Sequence, residues 1–165
     1  MSDQIEAVYQ RAVQRPADHI IYKGKAALQV SLKPATPTSS GNYVGSKKGV
    51  IFMKVAPCVG DKRYDWEHQG VTISISEHEV GQLIVALRGK ETVKFYHDKF
   101  KGSSREGEEI KQMTVGESGG TVFVNMLETK NGESRKIPGV PISHPEAIVL
   151  AELLKAALPK VLGWT

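Results

Sequence analysis

Cysteine is nearly absent: Cys58 is the only one in 165 residues. That excludes an intrachain disulfide framework. With no cysteine–histidine cluster at zinc spacing, it also argues against a structural zinc site, and neither a metal nor a cofactor is expected. No apolar run approaches the roughly 20 residues that cross a bilayer, so the chain reads as soluble, without a membrane partner. Near the N-terminus, Asp3, Glu6 and Asp18 beside Arg11 and Arg15 break the arginine-rich, acid-poor pattern of a transit peptide, and there is no signal-peptide apolar core. A targeting segment is therefore expected to be absent.

Catalytic signatures are also missing. The histidines His19, His68, His78, His97 and His144, with Cys58 and several serines, fall in no nucleophile-elbow, papain-like or HExxH context. His97 and Asp98 are neighbours, but adjacent residues of a strand point to opposite faces and make a poor proton relay. "VGSKKG" (44–49) lacks phosphate-loop spacing, and no GxGxxG follows a strand. No enzyme and no small-molecule substrate is expected.

What is present is positive charge in one place. The formal net charge is only +4, but residues 23–66 hold eight Lys/Arg against two acids, whereas 67–117 hold seven against nine. A clustered basic surface is the footprint of a polyanion partner.

An internal echo organises the chain. "ISEHEVGQLIVAL" (75–87) and "ISHPEAIVLAELL" (142–154) both place a glutamate three residues after a serine and then run into a helical apolar stripe. Ser76 with Glu79, and Ser143 with Glu146, fit the capping box at a helix start. Val80, Leu83, Ile84 and Leu87 form the buried face of the first helix, which Arg88-Gly89 stops. Ala147, Leu150, Ala151, Leu154 and Leu158 form that of the second, until Pro159 kinks or ends it. Apolar residues surround most of this second helix, which predicts assembly through it, with Leu150, Leu154 and Leu158 at the oligomer contact.

Ahead of the first helix, strands are expected over 20–32, 42–46, 49–57 with a continuation through 62–66, and 70–75. Ahead of the second they are expected over 91–97, 108–116, 121–129 and 134–142, with Asn131-Gly132 as a type I′ hairpin dipeptide. The plan is ββββα twice: an α+β fold with two four-stranded antiparallel sheets. Residues 1–19 form an N-terminal segment read as a helix over 3–13, with Ile5, Val8, Tyr9 and Ala12 on one side. Residues 20–165 form a single binding domain.

Read as one strand, "IIYKGKAALQVSL" (20–32) sets Tyr22, Gly24, Ala26, Leu28, Val30 and Leu32 on an apolar face. Lys23, Lys25, Ala27, Gln29 and Ser31 then fall on a basic one. Gly24 marks a bulge or a close approach to the backbone. Elsewhere aromatic and basic residues recur together: Phe52 with Lys54 on one face, Tyr64 with Trp66, and Lys94, Phe95, Tyr96 and His97 within "KFYHDKFK". Any single aromatic is more often a core residue. Repeated pairing with lysine suits stacking on unpaired bases beside a neutralised backbone, so single strands are favoured over duplex, which would want a basic recognition helix.

"YKGKAAL", "RYDWE", "SEHEVGQLI", "FYHDKFKG" and "ALPKVLGW" occur in the order and spacing of the Whirly family of plant single-stranded DNA-binding proteins, which the chain resembles over residues 20–165. The resemblance implies two four-stranded sheets packed across each other, with the helices forming the core and joining protomers into a homotetramer. It implies single-stranded DNA bound between the sheets with little sequence preference. Genome maintenance, DNA repair and transcription are the implied roles, in plastids, mitochondria or the nucleus. By the same resemblance Lys23 to Leu28 serve DNA binding and further assembly of tetramers, with Lys25 assigned to assembly. Tyr64, Asp65 and Trp66 match the YDW element, and Phe95 to Asp98 lie where the family shows two phenylalanines before HD, Tyr96 departing. The alternative is a guide-RNA-binding protein of the same fold, since sheets bearing aromatics and lysines serve either polymer. A purely structural oligomerisation module is the other, and it would show no salt-dependent binding.

Overall fold

The computed structural model describes residues 18–37 and 48–164. The helix expected over 3–13 and the strand expected over 42–46 lie outside the described residues. The first sheet contains β1 (His19–Tyr22), β2 (Ala26–Lys33), β3 (Val50–Gly60), β4 (Arg63–Tyr64) and β5 (Val71–Ile75), all antiparallel. β2 takes one edge of β3, and β4 and β5 take the other in turn. The Pro57–Cys58 peptide shows this directly, because its N–H donates to the Lys25 carbonyl while its carbonyl accepts from Asp65 N–H. The fourth position of the sheet is thus one strand broken by an excursion over residues 65–70.

The second sheet runs β6 (Val93–Asp98), β7 (Glu109–Ser118), β8 (Thr121–Lys130) and β9 (Glu133–Ile142) in sequence order. Asn131 (φ 50°) and Gly132 (φ 82°) both adopt the left-handed conformation that a type I′ turn requires between β8 and β9. An extra residue on β9 opposite Asn125 makes a bulge, and the prolines Pro138 and Pro141 are tolerated because β9 is an edge strand.

The segment read as a single strand over 20–32 is instead a hairpin. Lys23, Gly24 and Lys25 are its turn, Lys23 N–H donates to the Ala26 carbonyl at 3.0 Å, and Ile21 pairs with Leu28. Folding back satisfies backbone groups that one long strand would leave for another partner. Because Tyr22 pairs with Ala27, four residues, an even number, separate the paired positions and invert the parity, so Ile21, and not Tyr22, shares the buried face with Leu28.

Helix α1 (Glu77–Leu87) follows the first sheet and α2 (His144–Leu162) the second. The helices pack on each other, β9 runs against β2 and β3, and the apolar faces of both sheets and both helices merge in one buried cluster. Both capping boxes are formed: Ser76 and Ser143 accept from the Glu79 and Glu146 amides, and those carboxylates accept in return from the serine amides. Pro159 does not end α2. It lies on the solvent side, where water can take the carbonyl it leaves unbonded, and the helix continues to Leu162 before Gly163 (φ 75°) closes it.

Each capping glutamate has a second duty. Glu79 Oε1 accepts from His97 Nε2 at 2.6 Å, and Glu146 accepts from Lys23 Nζ at 2.7 and 2.8 Å. The helix that follows the first sheet is therefore tied to the second, and the helix that follows the second is tied to the first.

Candidate nucleic-acid interface

The register of the first sheet sets Phe52 between Ser31 and Ser74, and Lys54 between Gln29 and Thr72, on the face turned away from the core. Both are half-buried, while Ile51, Met53 and Val55 face inward. At the end of this face nearest the hairpin turn, Tyr22, Tyr64 and Trp66 form a shelf, with ring centroids 5.3 Å apart for the first pair and 6.4 Å for the second. The Tyr64 hydroxyl donates to the Lys23 carbonyl at 2.6 Å, joining shelf to turn. Ala27 and Ala56 share the outward parity at this end yet are fully buried, as expected beneath large rings.

Lys23 and Lys25 do not act alike. Lys23 is committed to Glu146 and is largely sheltered, whereas Lys25 is exposed with no ion-pair partner among the described residues. Lys23, expected to serve DNA binding, has its ammonium paired with the Glu146 carboxylate. Gly24 is open as well, for a Cβ added there would meet nothing within 4 Å. Nothing within the protomer requires a glycine at that position.

A groove separates the open edge of β5 from that of β6. Each of these strands pairs on one side only among the described residues. The groove has an open volume of about 650 Å³ beside Ser74, Lys94, Tyr96 and His97, and continues into a second space of about 250 Å³ lined by His97, Lys99 and Lys111. Lys94 and Tyr96 point outward from β6, Tyr96 being 55% exposed. Phe95 does not share this role. It is only 3% exposed and pairs in register with Met113, because strand alternation sends it with Val93 into the core. His97 lines the groove but is bound to Glu79.

Lys111 was not among the expected site residues. It lies opposite His97 in a row that continues through Glu128 to Arg135, on the inner parity of the second sheet. The signal was legible: alternation in "EIKQMTV" puts Lys111 on the same face as Met113 and Val115, and an inward charge on a strand needs a reason. Lys54, Lys94 and Lys111 all lack an ion-pair partner among the described residues, so their charge is available to a polyanion.

Three carboxylates that accept hydrogen bonds across the fold are held ionised. Burial pushes Glu79, Glu128 and Glu146 up, but hydrogen bonds from His97, from Arg135 and Lys130, and from Lys23 outweigh it, leaving each below the ordinary range. Among the described residues no three His, Cys, Asp or Glu side chains converge to hold a metal ion, and no helix is long and apolar enough to cross a membrane.

On α2, Leu150 and Leu154 are at most 1% exposed and so are unavailable to a second protomer, whereas Leu158 is only partly buried against the same core. The helix period explains the correction: these residues repeat along the stripe that faces the sheets. Ile148, Val149 and Leu153, at 51%, 48% and 43% exposure, form the outward apolar face.

The family model described as Whirly transcription factor matches residues 21–153. The chain is 36% identical over 153 residues to the single-stranded DNA-binding protein WHY1, chloroplastic, of Arabidopsis thaliana, covering 88% of this chain and 57% of that protein. It is 32% identical over 153 residues to WHY2, mitochondrial, of the same plant, covering 90% and 63%. It thus spans about three-fifths of the length of these relatives. The structure of the plant transcriptional regulator PBF-2 superposes with a TM-score of 0.76 at 31% identity, covering 90% of this chain and 83% of that one. The fold, the order of its motifs and these likenesses agree: the chain belongs to the Whirly family.

Proposed function

We propose that residues 20–165 act as one single-stranded DNA-binding domain with little sequence preference, and that the protein is a binding protein and not an enzyme. The observation that carries this reading is the groove between two open strand edges, flanked by the unpaired cations Lys94 and Lys111 and by the exposed ring of Tyr96. Lysines neutralise a flexible backbone while rings take unpaired bases, a combination that needs no particular sequence. Lys25, Phe52, Lys54 and the shelf of Tyr22, Tyr64 and Trp66 extend the contact over the outer face of the first sheet.

Protomers join through the outward face of α2 into a homotetramer, with Lys25 open to contacts between tetramers. Organellar genome maintenance and repair, with an additional role in transcription, are the processes this activity serves. A plastid or mitochondrial setting is supported by the names of the relatives.

Fluorescence anisotropy with matched single-stranded DNA, duplex DNA and RNA oligomers tests the reading. Tight binding to single-stranded DNA is expected, much weaker binding to duplex, and a log–log salt slope of about 0.7 per phosphate neutralised. Equal affinity for single strand and duplex would overturn the base-stacking reading, and a clear preference for RNA would move it to the other polymer.

A further inference from the structure

Among the described residues, Arg135 clamps the second sheet to the excursion that carries Trp66. Its guanidinium forks: Nη2 donates to Glu128 Oε2 at 2.8 Å, and Nη1 donates to the backbone carbonyl of Gln69 at 2.8 Å, 66 residues away in sequence. Glu128 is the only charged residue buried among those described, and Lys130 at 3.1 Å holds its other oxygen. The carboxylate therefore fixes the guanidinium plane, and the guanidinium fixes Gln69.

The excursion is closed by its own hydrogen bonds. His68 N–H donates to Asp65 Oδ1 at 3.0 Å, and Asp65 N–H donates to the Pro57 carbonyl at 3.1 Å. At the far end, a Cβ added to Gly70 would lie 2.6 Å from the Trp66 carbonyl and 2.7 Å from Lys54 Cε. The end of the loop is thus packed on its beginning. A shift at Gln69 passes through Gly70 to the backbone of Trp66.

We propose that Arg135 is a positioning residue: anchored on Glu128, it sets the height of the 65–70 excursion and so aligns Trp66 with Tyr64 and Tyr22 to receive bases. The inference rests on the single-stranded DNA reading and deepens it. Arg135 touches no base. It acts through Gln69, from the other sheet, so the aromatic shelf of one sheet is levelled by the charge row of its neighbour.

The test uses the whole chain carrying Trp164→Phe, which leaves Trp66 as the sole tryptophan. Arg135→Ala alone would strand a buried carboxylate, so the working variant is Glu128→Gln with Arg135→Gln, which removes both charges together. Binding of a labelled oligothymidylate, its salt slope and the quenching of Trp66 emission on binding are measured. With the clamp removed, affinity should fall about tenfold, as for one lost stack, quenching should diminish, and the salt slope should stay unchanged. Adding Trp66→Ala should then cost little more, because the clamp and the ring act as one unit.

Arg135→Lys, which keeps the charge but not the fork, should recover only part of the quenching. A salt slope shallower by about 0.7 would show Arg135 on a phosphate and overturn the positioning role. So would unchanged affinity and quenching in the double variant when Trp66→Ala still weakens binding. If Trp66→Ala leaves binding intact, the shelf and this proposal fail together while the groove reading stands. If the parent protein binds no single-stranded DNA, it is the functional reading that has failed.

Discussion

Lys23 and Lys25 flank one glycine and differ in everything that follows from their surroundings. The first closes an ion pair with the capping carboxylate of α2, and the second faces solvent. Their replacements should separate in a pH titration of stability. Glu146 is held below its ordinary range in the folded state, so its contribution is fully present above the unfolded carboxylate value, near 4.3, and is lost as pH falls through the folded value. Lys23→Met should therefore destabilise most at neutral pH, by about 1 kcal/mol for a partly sheltered pair, and should converge with the parent on acidification. Lys25→Ala should stay within about 0.5 kcal/mol at every pH. Denaturant midpoints from pH 3 to 7 decide it; a Lys23→Met deficit that persists in acid would remove Glu146 from the account. None of this was visible in the sequence, because a lysine's partner 123 residues away is a product of the fold.

At the level of elements, the helix starts were fully legible, since a capping box is a local device whose residues lie within one turn. The hairpin at 23–25 was not. Its turn uses Lys-Gly-Lys, no favoured turn dipeptide, and the alternation on either side looks continuous until the pairing of Tyr22 with Ala27, with an even number of residues between them across the turn, inverts it. Strand β6 shows the other limit: "KFYHD" reads as an aromatic and basic cluster, but the two-residue period divides it, sending Phe95 inward and Tyr96 outward. The two rings should respond in opposite ways. Phe95→Ala should cost about 3–5 kcal/mol of stability as a large core deletion, whereas Tyr96→Ala should leave the melting curve almost unmoved and weaken single-strand binding. Calorimetry and anisotropy on the same two variants make the comparison. A stable Phe95→Ala protein with lost binding would return Phe95 to the interface.

For the whole molecule, neighbouring positions of α2 face different worlds. Leu154 is 1% exposed and belongs to the core, whereas Leu153 is 43% exposed on the outward face. Leu153→Asp should yield a folded chain of single-protomer mass by light scattering, and Leu154→Asp should lose its circular dichroism. A Leu153→Asp protein of unchanged oligomeric mass would move assembly to another surface. The stripe that made α2 look adhesive was legible, but which apolar residues were left over after the core was filled depended on the angle at which the helix meets the sheets. The crossed ties at the helix caps carry a consequence for how the chain comes to be folded. A chain synthesised as far as α1 holds a complete sheet and helix, yet the basic partner of Glu79 has still to be made; Lys23 meanwhile waits for Glu146, almost at the end of the sequence. Each half thus lacks one partner of each tie, and two fragments cut between α1 and β6 would each present hydrogen-bonding groups that only the other completes.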